Sequence, residues 1–173
     1  MDNFSIEYRL ILKNREAAKM SELLFKNMEL TRGFFIKTIA GLNEEIVDVQ
    51  PEGFNNTIKW HIGHVLTTAE QFMFGYPKKS ASIPANYLEL FATGTKPSDW
   101  QGEVPSVSEL TAQLKDQLMR MKEIPAERFS EKLSTPFLGQ ETFGEISNFS
   151  LFHESIHFGQ IQAMKRVIEA AQA

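Results

Sequence analysis

Residues 152–160 read Phe152-His153-Glu154-Ser155-Ile156-His157-Phe158-Gly159-Gln160. Two imidazoles four residues apart stand one above the other on a helical face, the spacing that a single cation can bridge. Working outward by steps of three and four, Phe143, Ile146, Ser150, His153, His157, Gln160, Met164 and Val167 make a seam that is apolar at both ends and polar in its middle. Such a seam predicts a long helix with this side turned to a core. Its polar middle positions then need partners or a shared cation, because each unmet donor or acceptor costs roughly 1 to 3 kcal/mol.

The chain has 173 residues, which fits one domain over residues 1–173 that buries roughly 70% of its unfolded surface. It contains no cysteine, so disulfides, thiolate metal sites, iron–sulfur clusters and thiol nucleophiles are excluded together. Any metal must be held by nitrogen and oxygen. The formal charge of -4 argues against a general phosphate-binding surface and so against a nucleic-acid partner. The start Met1-Asp2-Asn3 has no basic region leading into an apolar stretch, and no apolar run approaches about 18 residues. The expectation is a cytoplasmic protein with no membrane partner.

Along the chain, residues 1–13 fit both a strand-like alternation and a helical period and stay unassigned. Met20, Leu24, Met28, Phe35, Ile39 and Leu42 predict a first long helix over residues 15–42. Asn43-Glu44-Glu45 and Pro51-Glu52-Gly53 mark a loop. Asn55-Asn56-Thr57 offers caps for a second helix reaching Phe74, with Gly75-Tyr76-Pro77 as its stop. Residues 78–105 are rich in Pro, Gly and Ser and read as a long loop with room for a short helix over residues 85–91. Ser106-Val107-Ser108-Glu109 is a capping box opening a third helix striped by Val107, Leu110, Leu114, Leu118 and Met121, up to Pro125. A turn-rich link through Thr135-Pro136 and Leu138-Gly139 follows, and Thr142-Phe143-Gly144-Glu145 caps the final helix to residue 170. Four long helices with no convincing sheet predict an all-α four-helix bundle with a long crossover between its second and third helices.

The four histidines fall in two places only: His61 and His64 in the second helix, His153 and His157 in the fourth. On the second helix Thr57, Trp60, His64, Thr67, Gln71 and Phe74 make another seam with a polar centre, and His61 falls off it. If the two seams face each other, His64, His153 and His157 form a three-nitrogen site with coordination positions left open, the arrangement of catalytic rather than structural metals. Neutral imidazoles suit a divalent metal: Zn²⁺, Ni²⁺, Fe²⁺ or Mn²⁺. Gln160, Gln71, Thr67 and Ser150 are candidates to orient the rings or bind substrate, and His61 is placed beside the ligands or on the surface rather than among them. Trp60, Phe72, Phe74, Phe152 and Phe158 read as core or pocket wall, and Glu70, Lys165 and Arg166 as solvated charges. His153-Glu154-Ser155-Ile156-His157 also matches the short zinc-protease pattern. Only Glu169, near a helix end, follows as a further ligand, and Glu154 lies about 100° round the helix from His153.

Residues 50–64, Gln50-Pro51-Glu52-Gly53-Phe54-Asn55-Asn56-Thr57-Ile58-Lys59-Trp60-His61-Ile62-Gly63-His64, together with Thr142-Phe143-Gly144-Glu145 leading into His153 to Gln160, resemble the DinB-like family. Its members are metal-binding four-helix proteins first named for DNA-damage inducibility, within a superfamily that includes bacillithiol and mycothiol S-transferases. The resemblance implies a metal held by His64, His153 and His157, the bundle with its long crossover, and a homodimer. The reaction expected on these grounds is thiol S-transfer or hydrolysis, with a small-molecule thiol or other substrate as partner and with Gln160 and Glu154 orienting the ligands. The other reading is a non-catalytic ligand-binding or stress-response protein in which the ion completes the core.

Overall fold

A computed structural model describes residues 3–75 and 80–172, the side chains of residues 3–14, 16 and 17 lying outside that description. The first helix, α1, spans Asn3–Ala40, so the unassigned N-terminal stretch continues it as helix from Asn3 onward. Leu24, Met28, Phe35 and Ile39 are buried as their spacing requires, whereas Met20 is exposed. Where a loop is expected after it, Glu44–Val47 forms the one-turn helix α2. The Asn43 side chain caps this turn by accepting from the Glu45 N–H at 3.1 Å, and Ile46 and Val47 are buried beneath it.

Helix α3 (Ile58–Phe74) begins where the Thr57 hydroxyl accepts from the Trp60 N–H and ends at Gly75, whose N–H reaches the Gln71 carbonyl. Tyr76 and Pro77, the rest of the expected stop, lie outside the described residues. The crossover carries α4 (Tyr87–Phe91), within the short helix expected there, and a 3-10 turn at Pro97–Asp99. Helix α5 (Val107–Lys122) and helix α6 (Phe143–Ala171) both start with complete capping boxes, Ser106 with Glu109 and Thr142 with Glu145.

One element of the link before α6 was not legible. Strands β1 (Lys132–Phe137) and β2 (Gln140–Thr142) pair antiparallel across a two-residue loop, Leu138-Gly139, with φ of 49° and 80°. Both positive values give a tight hairpin turn of the kind usually written Asn-Gly or Asp-Gly. Leucine in that place hides the signal, because it takes up the left-handed region only under strain.

Helices α1, α3, α5 and α6 pack as a bundle in which each touches two others, α1 and α3 lying diagonally opposite. Two apolar clusters fill it. One gathers Phe35, Ile39, Ile62, Leu66, Leu110, Leu114 and Ile161, the other Leu24, Met28, Met73, Met121, Phe129, Phe143 and Ile146. The chain is mostly helical, an all-α fold with the expected crossover between the second and third long helices.

A polar layer separates the two clusters. Arg32 is 1% exposed, and each of its five N–H groups has an acceptor. Nε and Nη2 donate to the two Glu154 oxygens at 2.7 and 2.8 Å, Nη1 to the Leu114 carbonyl at 2.9 Å, and both Nη atoms to Gln117 Oε1 at 3.2 Å. Gln117 passes the network on through Nε2 to Glu70 at 2.7 Å and the Leu66 carbonyl at 3.0 Å, and Arg120 closes it with two 2.9 Å bonds to Glu70. All four long helices are tied through this one network.

The layer corrects the readings of Glu70 and Glu154, and the helix around it departs from the expected seam. Glu70 is not solvated but 2% exposed, and Arg120, Gln117 and Ser80 hold its carboxylate below the usual range against the opposing effect of burial. Glu154 faces the core rather than lying off the buried side. The inward face of α6 runs through Ser147, Ser150, Glu154, Ile161, Met164 and Ile168, while Gln160 and Val167 are exposed. A strict three-and-four seam drifts round a straight helix by about 20° per heptad, and the Arg32 charge captures Glu154. Phe152, read as core or wall, is 57% exposed.

Candidate metal centre

The histidines meet between α3 and α6, at the edge of the bundle beside the crossover. His64 is 3% exposed, and His153 and His157 are partly buried. His64 Nε2 lies 3.1 Å from His153 Nε2, and His157 Nε2 lies 3.2 Å from the same atom. One nitrogen from each of the three falls within 4.8 Å of the others, so the cluster could hold a metal ion.

The remaining ring nitrogens decide what the converging ones can do. His64 Nδ1 is 2.6 Å from the Phe91 carbonyl, which can only accept, so Nδ1 carries the proton and Nε2 presents a lone pair. His157 Nδ1 is 2.7 Å from His61 Nδ1, a pair that shares one proton, and the tautomer in which His157 donates leaves its Nε2 bare. His153 Nε2 holds at most one proton and cannot donate to both neighbours. The convergence therefore leaves lone pairs facing one another, which a cation would satisfy. A tetrahedral ion at about 2.0–2.1 Å from each nitrogen sets them about 3.3–3.4 Å apart, close to the separations present. The donor set fits.

Burial and mutual repulsion keep the rings uncharged. Desolvation first, then the neighbouring His64, lowers His61 and His153 to about 4. His157 is pushed down to about 2 by burial and by His153, His64 and His61. For His64 burial also lowers the value, with the Phe91 carbonyl acting the other way. At neutral pH all four rings are free bases, the form that ligates.

The supporting side chains are local consequences of α3 and the crossover. Trp60 stacks on His64 with centroids 4.5 Å apart and an interplanar angle of 11°, and its indole N–H donates to Thr95 at 2.9 Å. Gly63 lets Phe91 approach, since a Cβ there would meet the Phe91 ring at 2.4 Å. Without that approach the carbonyl that orients His64 would move away. Phe72 meets His153 edge-on at 6.3 Å.

Of the other residues expected at the site, His61 is buried against His157, and Thr67, one turn on from His64, is buried with its hydroxyl unpartnered among the described residues. Gln71 is exposed on the same side of α3. Two do not come in as expected. Gln160 is exposed, and Glu154 spends both oxygens on Arg32, which removes it as an orienting group and as the base of a protease pattern. The Phe91 carbonyl went unseen because a backbone group leaves no mark in sequence. Arg32 and Gln117 did leave one, each sitting on an apolar stripe, between Met28 and Phe35 and between Leu114 and Met121.

The family model described as the DinB superfamily matches residues 27–161. The chain belongs to the DinB superfamily. All of α3 and the part of α6 that carries His153 and His157 lie within the matched residues. A crystal structure described as the conserved protein of locus from Enterococcus faecalis is similar over 86% of this chain and 97% of its own, with TM-score 0.61 and 15% sequence identity, a likeness of fold. No curated protein matches the chain. No helix of the described residues is long and apolar enough to cross a membrane.

Proposed function

We infer that this DinB-superfamily protein is a metal-dependent enzyme whose centre is His64, His153 and His157, acting as a thiol S-transferase of the bacillithiol kind or as a hydrolase. The observation that carries the reading is the convergence of three Nε2 atoms at 3.1 and 3.2 Å, with the other nitrogens of His64 and His157 held by Phe91 and His61. A bound divalent cation supplies Lewis acidity, which makes a thiol or water acidic near neutral pH. The protein supplies the rest. Trp60 and the Phe91 carbonyl hold His64 in one orientation, His61 holds His157 through its Nδ1, and the partly buried His153 and His157 leave one side for substrate. Zn²⁺ and Ni²⁺ suit the all-nitrogen set best.

A homodimer is part of this reading. Leu30 and Phe34 on α1, and Phe152 and Ile156 on α6, expose more apolar surface than an isolated bundle needs.

The test is elemental analysis of protein purified without an affinity tag, beside a His64→Ala/His153→Ala/His157→Ala variant. One equivalent of metal in the wild type and none in the variant is expected. The loaded protein is then assayed for conjugation of an electrophile by bacillithiol, glutathione or coenzyme A, and for ester and amide cleavage. Failure to take up added Zn²⁺ or Ni²⁺ by a folded wild type refutes the site, and ester or amide cleavage without conjugation leaves the hydrolase alone.

A further inference from the structure

We propose that the cavity along α3, which begins at Thr68 one turn beyond His64, binds the elongated aliphatic body of a ligand whose polar head lies at the three histidines. This rests on the metal reading above and adds the substrate class to it. Thr68, Gln71 and Phe72 follow His64 by four, seven and eight residues and so stay on its side of the helix. They floor a cavity of about 1130 Å³ walled by Leu88 and Ala92 of the crossover and by Phe137 of the hairpin.

The cavity shares its near wall with the histidines. Phe72 is the ring set edge-on against His153, and Ala92 directly follows Phe91, whose carbonyl holds His64. Phe137 packs on Phe72 with centroids 5.3 Å apart, extending an apolar wall away from the metal centre. Glu70 also reaches the cavity, but its carboxylate is held by Arg120, Gln117 and Ser80 and is not a free charge for a ligand. The volume is slightly above the usual range for small-molecule pockets of roughly 300–1,000 Å³, far beyond what a cation and a thiol or water occupy. An apolar lining of that size favours hydrocarbon, because each buried methylene is released from water.

The probes are acetohydroxamate and hexanohydroxamate, which share a metal-binding head and differ by four methylenes, titrated calorimetrically into the Zn²⁺-loaded protein. With each methylene worth about three- to fourfold, the longer probe is expected to bind roughly 80- to 250-fold more tightly. Leu88→Trp and Ala85→Trp, which fill the groove from the crossover, are each expected to reduce that ratio below about tenfold with acetohydroxamate binding unchanged. Circular dichroism checks that the variants keep their helices. Equal affinity for the two probes, or a ratio unchanged in both variants, overturns the groove assignment while leaving the metal centre standing. A protein that takes up no Zn²⁺ overturns both.

Discussion

Replacing Arg32 by Met tests the central claim about what holds the bundle together. Arg32 and Glu154 have side chains 1% and 7% exposed, so the variant leaves a carboxylate in the core without its cation. It also removes the donors to Gln117 Oε1 and the Leu114 carbonyl. Breaking one side of a buried, hydrogen-bonded pair costs about 3–5 kcal/mol, mostly because the surviving charge is stranded. For a chain of this length each kcal/mol moves the midpoint by about 2–4 °C, so Tm should fall by roughly 6–20 °C. The assay is urea and thermal unfolding of chelator-treated protein followed by far-UV circular dichroism. Arg32→Met/Glu154→Leu supplies the decisive comparison. Removing both charges should recover at least about 2 kcal/mol relative to Arg32→Met, although Gln117 stays under-satisfied. A single variant costing less than about 1 kcal/mol, or a double variant as costly as the sum of its singles, would refute the view that a stranded charge dominates.

Gly63→Ala should destabilise by about 1–3 kcal/mol through its collision with the Phe91 ring. It should also weaken Zn²⁺ binding about 10- to 100-fold by moving the carbonyl that orients His64, measured by competition with a chromophoric chelator. Leu138→Asn relieves a positive φ of 49° at an exposed hairpin position and should raise stability by about 0.5–1 kcal/mol, read as a higher Tm, whereas a lower one contradicts the turn assignment. The metal-free protein should lose stability as pH falls from about 6.5 to about 4. His61 and His153 bind protons near 6.5 when unfolded but only near 4 when folded, so the unfolded state takes up more protons across that window and stability rises with pH. Urea midpoints of chelated protein between pH 4.5 and 7.5 check this, and a flat profile counts against buried neutral histidines.

The long helices were legible because each carries a periodic apolar stripe and a cap. Ser106-x-x-Glu109 and Thr142-x-x-Glu145 open α5 and α6 where the residues say, and Thr57 opens α3. The hairpin and α2 were hidden for local reasons: a leucine occupies a turn position that Asn normally marks, and a single helical turn is too short for a period to appear. The histidine cluster that could hold a metal was legible in part, since histidine spacing within a helix reports which rings share a face. Spacing cannot report how far that face is turned from the core, and so Glu154, off the seam by spacing, is found buried against Arg32.

By itself the sequence determined the helix count of the bundle, the absence of thiolate ligands, the two histidine clusters and the family they belong to. Tertiary structure alone decided that the three Nε2 atoms converge, that a backbone carbonyl fixes the His64 lone pair, that His61 sits against His157, and that Arg32 rather than a histidine owns Glu154. The division has one physical cause. Periodicity and capping are local properties, fixed within a few residues of chain, whereas a side chain's partner depends on the rotation and depth of each helix. In this bundle the need to pair one buried guanidinium takes part in setting that rotation.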